Sequence, residues 1–280
     1  MKKILITGAN SYIGTSLEKW LGNYPDKYYV DTVSTRDDVW KKKDFSEFDV
    51  IFHVAGIAHI KETKENEHLY YKINRDLPID VAKKARDEGV GQFIFLSSMS
   101  VYGMDIGVIT KKTILKPKTN YGKSKLQAEE QLTKLQDDNF FLTVIRPPMV
   151  YGKNCKGNFQ SVIKLVKKLP VFPKVKNQRS MIYIDNLSSF VKLCIDKKIR
   201  GLYFPQNREY VQTTDMAAII AKSIKKKVYM STLLGWTVKL CIPFSGILQK
   251  GFGSLIYQDT DDFDYMYCEI DNDESISKST

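Results

Sequence analysis

The stretch Lys2-Lys3-Ile4-Leu5-Ile6-Thr7-Gly8-Ala9-Asn10-Ser11-Tyr12-Ile13-Gly14 decides the architecture. Its first half is a short apolar strand, and Ser16-Leu17-Glu18-Lys19-Trp20-Leu21 carries its second half on as a helix. A tight glycine turn stands between them. Gly8 permits the sharp reversal and Gly14 the close packing of helix on strand. The helix N-terminus offers N–H groups and a positive dipole end to an anion such as a pyrophosphate. Ser11 stands where a middle glycine is usual, and its small side chain still allows close backbone approach.

Strands and helices alternate from there on. Tyr28 to Ser34, Asp49 to Ala55, Gln92 to Leu96 and Phe141 to Arg146 read as strands, and Glu67 to Ile73, Leu77 to Glu88 and Gly122 to Gln136 as helices. Such alternation implies right-handed crossovers and an α/β fold: a Rossmann-type, doubly wound parallel sheet with a smaller C-terminal substrate-binding region. The expected division is a dinucleotide-binding domain over residues 1–153, regaining elements near 180–205, and a substrate region over 154–280. Ligands of such sheets bind at the carboxyl ends of the strands, where Gly8, Ala55-Gly56, Ser98 and Arg146-Pro147 fall.

Tyr121 and Lys125 lie one helical turn apart in Asn120-Tyr121-Gly122-Lys123-Ser124-Lys125, so both project from one helix face. An ammonium beside a phenol of ordinary pKa about 10 favours its ionised form. Ser98, at the end of the strand Gln92 to Leu96, can orient the same substrate oxygen. Together they suit an alcohol/ketone conversion in which the tyrosine moves the proton and a nicotinamide the hydride. Tyr-x-x-x-Lys alone also occurs on solvated helix faces; the glycine turn at the start of the chain gives it weight.

Composition bounds the rest. With 280 residues and 43% hydrophobic content, the chain can bury one large α/β core or one domain with an appendage. Met1 leads straight into a core strand, and no uncharged run of roughly 18 apolar residues is present, so a cytoplasmic protein without a membrane span is expected. Cys155, Cys194, Cys241 and Cys268 include no Cys-x-x-Cys pair, and His53, His59 and His68 lack metal-ligand spacing, so no metal is expected. The net charge of +11 is uneven: residues 1 to 258 carry 42 basic and 24 acidic groups, whereas the tail sets eight acids against Lys278. No basic stripe interleaved with aromatics points to nucleic acid. A basic body suits anionic small ligands, a membrane-surface partner or merely a lysine-rich composition. Leu233 to Leu248 is apolar around Lys239 and Pro243 and reads as a packed helix followed by a turn, with a membrane-surface or partner-docking stretch as the alternative. The acidic tail reads as a disordered segment.

Taken together, Thr7-Gly8-x-x-Ser11-x-x-Gly14, His53-Val54-Ala55-Gly56, Leu96-Ser97-Ser98-x-x-Val101-Tyr102-Gly103, Tyr121-x-x-x-Lys125 and Arg146-Pro147-Pro148-Met149-Val150-Tyr151-Gly152 resemble the extended short-chain dehydrogenase/reductases. The likeness runs from Met1 to about Phe204 and is strongest to the nucleotide-sugar epimerase/dehydratase branch. It implies that Gly8, Ser11, Tyr12, Ile13 and Gly14 line the cofactor pyrophosphate, that Asp44 faces the adenine, and that Ala55, Gly56 and Pro147 flank the dinucleotide. It further implies Tyr121 as general acid/base, Lys125 on the nicotinamide ribose and Ser98, beside Met99, on the sugar oxygen. Asn158 and Phe159 resemble the segment that holds the nucleotide diphosphate. Arg179 resembles the family's phosphate-binding arginine, a role that a guanidinium fork suits on its own chemistry.

Two features narrow the reaction. Sugar-nucleotide 4,6-dehydratases carry an acidic pair where this chain has Met99 and Ser100, so water elimination is not expected. Ser34-Thr35-Arg36 puts hydroxyls and a cation at the end of the second strand, where an NAD-binding fold tends to place an acid; Asp31 serves only if that strand ends early. This favours NADP(H) over NAD(H). The resemblance, down to Cys155-Lys156-Gly157-Asn158-Phe159 and Gln178-Arg179-Ser180, implies a UDP-4-keto-hexosamine 4-ketoreductase of capsule or O-antigen sugar synthesis. A UDP-glucose or UDP-N-acetylglucosamine 4-epimerase is the alternative, and a non-catalytic dinucleotide-binding regulator a lesser one. A UDP-sugar is the expected partner; a homodimer and peripheral membrane association stay open.

Overall fold

A computed structural model describes residues 1–58, 60–260 and 262–280; His59 and Asp261, counted above among the histidines and tail acids, lie outside them. In chain order the elements are β1 (Lys2–Thr7), α1 (Tyr12–Leu21), β2 (Tyr28–Val33), α2 (Val39–Lys42), β3 (Val50–His53), α3 (Glu67–Tyr71), a π-helical turn (Lys72–Asp76), α4 (Leu77–Asp87) and β4 (Gln92–Leu96). A 3-10 turn (Met99–Tyr102) follows, then β5 (Gly107–Ile109), α5 (Asn120–Thr133), β6 (Phe141–Ile145), β7 (Met149–Tyr151), α6 (Asn158–Lys168), β8 (Val171–Pro173) and β9 (Met181–Tyr183). The chain ends with α7 (Ile184–Asp196), β10 (Gly201–Tyr203), α8 (Thr213–Ser223), β11 (Tyr229–Ser231), α9 (Thr232–Cys241), a 3-10 turn (Ile242–Phe244), α10 (Gly246–Phe252), β12 (Leu255–Tyr257) and α11 (Asn272–Lys278).

Two compact units share these elements. The first comprises Met1–Gly103, Leu115–Pro147 and Ser188–Pro205. Its six-stranded sheet runs β10-β6-β4-β3-β1-β2 with every neighbouring pair parallel. β3, β4 and β6 are buried along their whole length. A parallel sheet covered on both faces requires this, and it explains why these strands read as unbroken apolar runs. On one face Leu5, Ile51, Phe93 and Val144 pack against Val81 and Ala85 of α4 and Ala128 and Leu132 of α5. The buried Gln92 is accommodated because its Nε2 donates to Thr143 Oγ1 and the Cys194 carbonyl, each at 3.1 Å.

The second unit comprises Met104–Ile114, Pro148–Leu187 and Gln206–Thr280 and holds three two-stranded parallel ladders, β12-β5, β7-β9 and β11-β8. Two expectations are corrected here. The tail is folded: Tyr267, Ser275 and Ile276 are buried, and Tyr151 Oη lies 2.5 Å from Ser275 Oγ. Its scattered apolar side chains supply a burial that the acidic composition conceals. Leu233 to Leu248 is not a packed helix either. It forms α9, a turn at Pro243 and part of α10, and of α9 only Gly235 is buried.

Candidate active site

The β1-α1 turn is built as its sequence requires. Gly8 has φ +109°, and a Cβ there would stand 2.8 Å from the Ala55 nitrogen, so both the backbone conformation and the space exclude other residues. Val33 and Thr7 carbonyls accept from the Gly8 and Ala55 nitrogens at 3.0 Å each, which joins the ends of β2, β1 and β3. Ser11 caps α1, its Oγ accepting from the Gly14 nitrogen at 3.2 Å. Tyr12 and Ile13 open that helix, and Gly14 packs against Ile6 and Val54. The first N–H groups of a helix have no intrahelical partners, so this turn fits an anion such as a dinucleotide's pyrophosphate.

Tyr121 and Lys125 both stand on α5, and Ser98 follows the end of β4. Thr119 caps α5, and the Glu62 carboxylate accepts from the Asn120 and Tyr121 nitrogens at 2.9 and 3.1 Å, fixing where the tyrosine begins its helix. The Ser98 hydroxyl donates to Ser100 Oγ at 3.1 Å and lies near enough to the Tyr121 hydroxyl to lower its pKa. The expected effect of the lysine on the phenol is corrected. Burial raises the Tyr121 pKa, offset in part by Ser98. Lys125 is turned away to donate to the Leu96 carbonyl at 2.8 Å, and burial pushes it down to about 7 against the upward pull of Glu129.

Behind this trio lies a buried polar cluster that the sequence reading missed. Glu129, one turn beyond Lys125 on the same face of α5, accepts from the Ser97 hydroxyl and from Arg146, whose Nη1 donates to Tyr102 Oη at 2.9 Å. Asn74 was missed as well. It sits fully buried in the π-helical turn, where its Oδ1 accepts from the Ile57 nitrogen and its Nδ2 donates to the Ile57 carbonyl, both at 2.9 Å. A Cβ on Gly56 would meet that Oδ1 at 2.9 Å and Lys125 Nζ at 3.5 Å, so Gly56, Asn74 and Lys125 line one spot. Only the π geometry, a frequent mark of functional sites, signals this residue, and it is not legible in composition or period.

The remaining candidates fall as follows. Met99 lies in the 3-10 turn after Ser98, its nitrogen donating to the carbonyl of the buried Pro147 at 3.0 Å. Arg36 is exposed just beyond the end of β2. Asp31 lies two residues before that end and pairs with Lys43 at 2.7 Å, so it is not a strand-end acid. Asp44 is not brought to the cofactor end. It accepts from Ser46 N and Oγ, and the Phe45 nitrogen beside it donates to Glu88, the C-cap of α4, on the side where the strands begin. Within the second unit, Asn158 opens α6 and is exposed, but Phe159 is a core residue, its ring centroid 5.1 Å from that of Tyr151. Arg179 is buried. Its Nη1 donates to the Gly253 carbonyl at 2.8 Å, and its buried Nε has no partner among the described residues. No group of metal-binding side chains occurs among the described residues.

The model of the NAD dependent epimerase/dehydratase family matches residues 4–203. The chain belongs to that family. It is 33% identical over 265 residues to the UDP-glucose 4-epimerase of Vibrio cholerae, covering 85% of this chain and 81% of the relative. It is 26% identical over 244 residues to the N-acetyl-α-D-glucosaminyl-diphospho-ditrans,octacis-undecaprenol 4-epimerase of Escherichia coli O157:H7, covering 80% and 73%. Against the UDP-2-acetamido-2,6-β-L-arabino-hexul-4-ose reductase of Pseudomonas aeruginosa it is 24% identical over 212 residues, covering 70% and 50%. The UDP-glucuronic acid 4-epimerase of Bacillus cereus, solved with NAD, shares the fold, with a TM-score of 0.76 over 99% of this chain and 97% of that one at 18% identity. The protein is thus an NAD(P)-dependent short-chain dehydrogenase/reductase of the nucleotide-sugar epimerase and reductase branch.

Proposed function

We propose that the protein is a nucleotide-sugar 4-epimerase acting on a UDP-hexose or UDP-N-acetylhexosamine in the cytoplasm. The likeness to the Vibrio cholerae enzyme, at 33% identity over 85% of this chain, carries this reading and displaces the reductase as the leading one. The chemistry that a bound nicotinamide would supply is reversible hydride transfer at C4 of the sugar. Tyr121 would, in its ionised form, take the proton of the C4 hydroxyl and, as the phenol, give it back, with Ser98 orienting that oxygen. Lys125, beside Gly56 and Asn74, would hold the ribose of the cofactor. Arg179, with its unpartnered Nε, would serve a diphosphate. The four cysteines are free thiols, which suits a reducing compartment.

A second reading, the 4-ketoreductase with NADPH, is favoured by one feature: β2 ends without an acid and is followed by Ser34, Thr35 and the exposed Arg36. The two readings make opposite demands on the cofactor. The purified chain is incubated, without added cofactor, with UDP-glucose, UDP-N-acetylglucosamine and N-acetylglucosaminyl-diphospho-undecaprenol, the last because of the Escherichia coli relative. The 4-epimer and close to one retained NAD per chain are expected. Stoichiometric consumption of NADPH with a UDP-4-keto-hexosamine, and no epimer, would move the assignment to the reductase. No turnover in either assay would leave the regulator.

A further inference from the structure

From Met216 to Gln258 the chain carries six lysines and no acidic residue. Its centre, α9, the Pro243 turn and α10, turns large apolar side chains outward. Leu233, Trp236 and Leu240 recur along one face of α9 at 76%, 72% and 64% exposure, and Phe244 and Ile247 stand at 90% and 85%. Tyr229 on β11 is 72% exposed. Single exposed apolar residues need no explanation, but five large ones within fifteen residues do.

The surface is firmly mounted. α9 lies so close to β8 that a Cβ on Gly235 would fall 2.0 Å from the Lys174 carbonyl oxygen. The end of α10 is tied down by Thr213 Oγ1 donating to Gly251 O at 2.7 Å and by Arg179 donating to Gly253 O at 2.8 Å. Lys226 is used internally, donating to the Val166, Lys167 and Leu169 carbonyls at the end of α6. Lys222, Lys225, Lys227, Lys239 and Lys250 are exposed.

We propose that α9 and α10 form a docking surface for an anionic phospholipid bilayer, with Trp236, Leu240, Phe244 and Ile247 entering the headgroup boundary and the exposed lysines contacting acidic headgroups. Charge complementarity selects this occupant. An apolar, aromatic face flanked by lysines is the pattern of an interfacial helix, each lysine near an acidic surface adding attraction. A two-fold contact between copies would oppose lysines to lysines. α9 has ten residues, and no helix among the described residues is long and apolar enough to cross a membrane, so the surface would lie on the bilayer.

The test is flotation of the full chain with vesicles of phosphatidylcholine alone or mixed with phosphatidylglycerol, with tryptophan emission read against brominated lipid. The chain should float with the anionic vesicles and be quenched. Trp236→Phe should float but lose most of the quenching. Phe244→Asp with Ile247→Asp should lower the bound fraction about tenfold or more, and Lys225→Glu or Lys239→Glu on the order of fivefold. Circular dichroism checks the fold of each variant; if the aspartate pair does not fold, the lysine and Trp236 variants decide. A chain that stays behind with anionic vesicles overturns the proposal, as does binding indifferent to these substitutions. So does a lipid-free dimer in light scattering that the aspartate pair dissolves, which would make the surface an interface between copies.

Discussion

Arg146 grips both carboxylate oxygens of Glu129, with Nε at 3.0 and 3.2 Å and Nη2 at 2.5 Å, and both side chains are almost fully buried. The pair fastens both flanks of Ser98: Ser97 donates to Glu129, and Tyr102, which closes the turn after Ser98, accepts from Arg146. Removing one partner of a buried ion pair leaves the other charge uncompensated. Arg146→Met should therefore destabilise the chain by about 3–5 kcal/mol, whereas Arg146→Met with Glu129→Leu should recover much of that. Urea unfolding of the single and double variants checks this; a double variant no more stable than Arg146→Met would contradict it.

Glu129 also pulls the pKa of Lys125 upward. Lys125 protonates only below about 7, so a function that needs its ammonium fades as pH rises through that value. Glu129→Gln removes the upward pull, and the alkaline limb of kcat/KM should move to lower pH. An unmoved limb would show that Glu129 only braces the fold.

If Tyr121 moves the sugar proton, Tyr121→Phe should lower kcat roughly 100-fold or more while cofactor affinity stays nearly intact. Lys125→Met should damage both, since Lys125 stands beside Gly56 and Asn74 where the ribose would lie. Cofactor titration alongside steady-state kinetics separates the two effects. A Tyr121→Phe variant with near wild-type kcat would remove the tyrosine from the chemistry.

The parts of this site that were legible in the sequence are those written locally. The turn from Gly8 to Gly14 and the helix that carries Tyr121 and Lys125 follow from a strand end and one helical period, and both elements are formed. Asn74 and the Glu129–Arg146 pair act through partners remote in the chain, and no periodicity reports those. The resemblance implies an adenine contact for Asp44, but Phe45 beside it is pinned to Glu88 at the end of α4. The resemblance puts Phe159 in the segment that holds the nucleotide diphosphate, and its ring packs against Tyr151. The tail shows how net acidity hides a few buried apolar side chains.

His53 predicts an acid-dependent loss of stability. It is fully buried, hydrogen-bonded with Thr7 Oγ1 at 2.8 Å, and pushed down to about 3 by burial and then by the nearby Lys125. In the unfolded chain it titrates near 6.5, so between about 6.5 and 3 the unfolded state takes up a proton that the fold refuses. Stability should fall with pH across that window at a slope approaching 1.4 kcal/mol per unit from this residue, and be fully present above it. His53→Phe, between Phe93 and Phe95, removes the term. Denaturation at several pH values from 7 to about 4 should give the variant a shallower slope than the wild type; equal slopes would assign the acid sensitivity elsewhere.

Substitution of Arg36 tests which cofactor the protein uses. It follows the end of β2, is exposed, and is preceded by Ser34 and Thr35, while the nearest upstream acid, Asp31, is engaged with Lys43. A guanidinium there can meet a 2′-phosphate but has no charge to meet on a 2′-hydroxyl. If NADP(H) is the cofactor, Arg36→Ala should weaken NADPH binding by about 1.5–3 kcal/mol, roughly 10- to 150-fold, and leave NADH nearly unchanged. Titration of both reduced cofactors into wild type and variant measures this. The epimerase reading expects the other result: tight NAD binding in the wild type, little discrimination lost in the variant, and NAD retained through purification. Equal small losses for the two cofactors would therefore strengthen the 4-epimerase assignment, and a loss confined to NADPH would return the weight to the reductase.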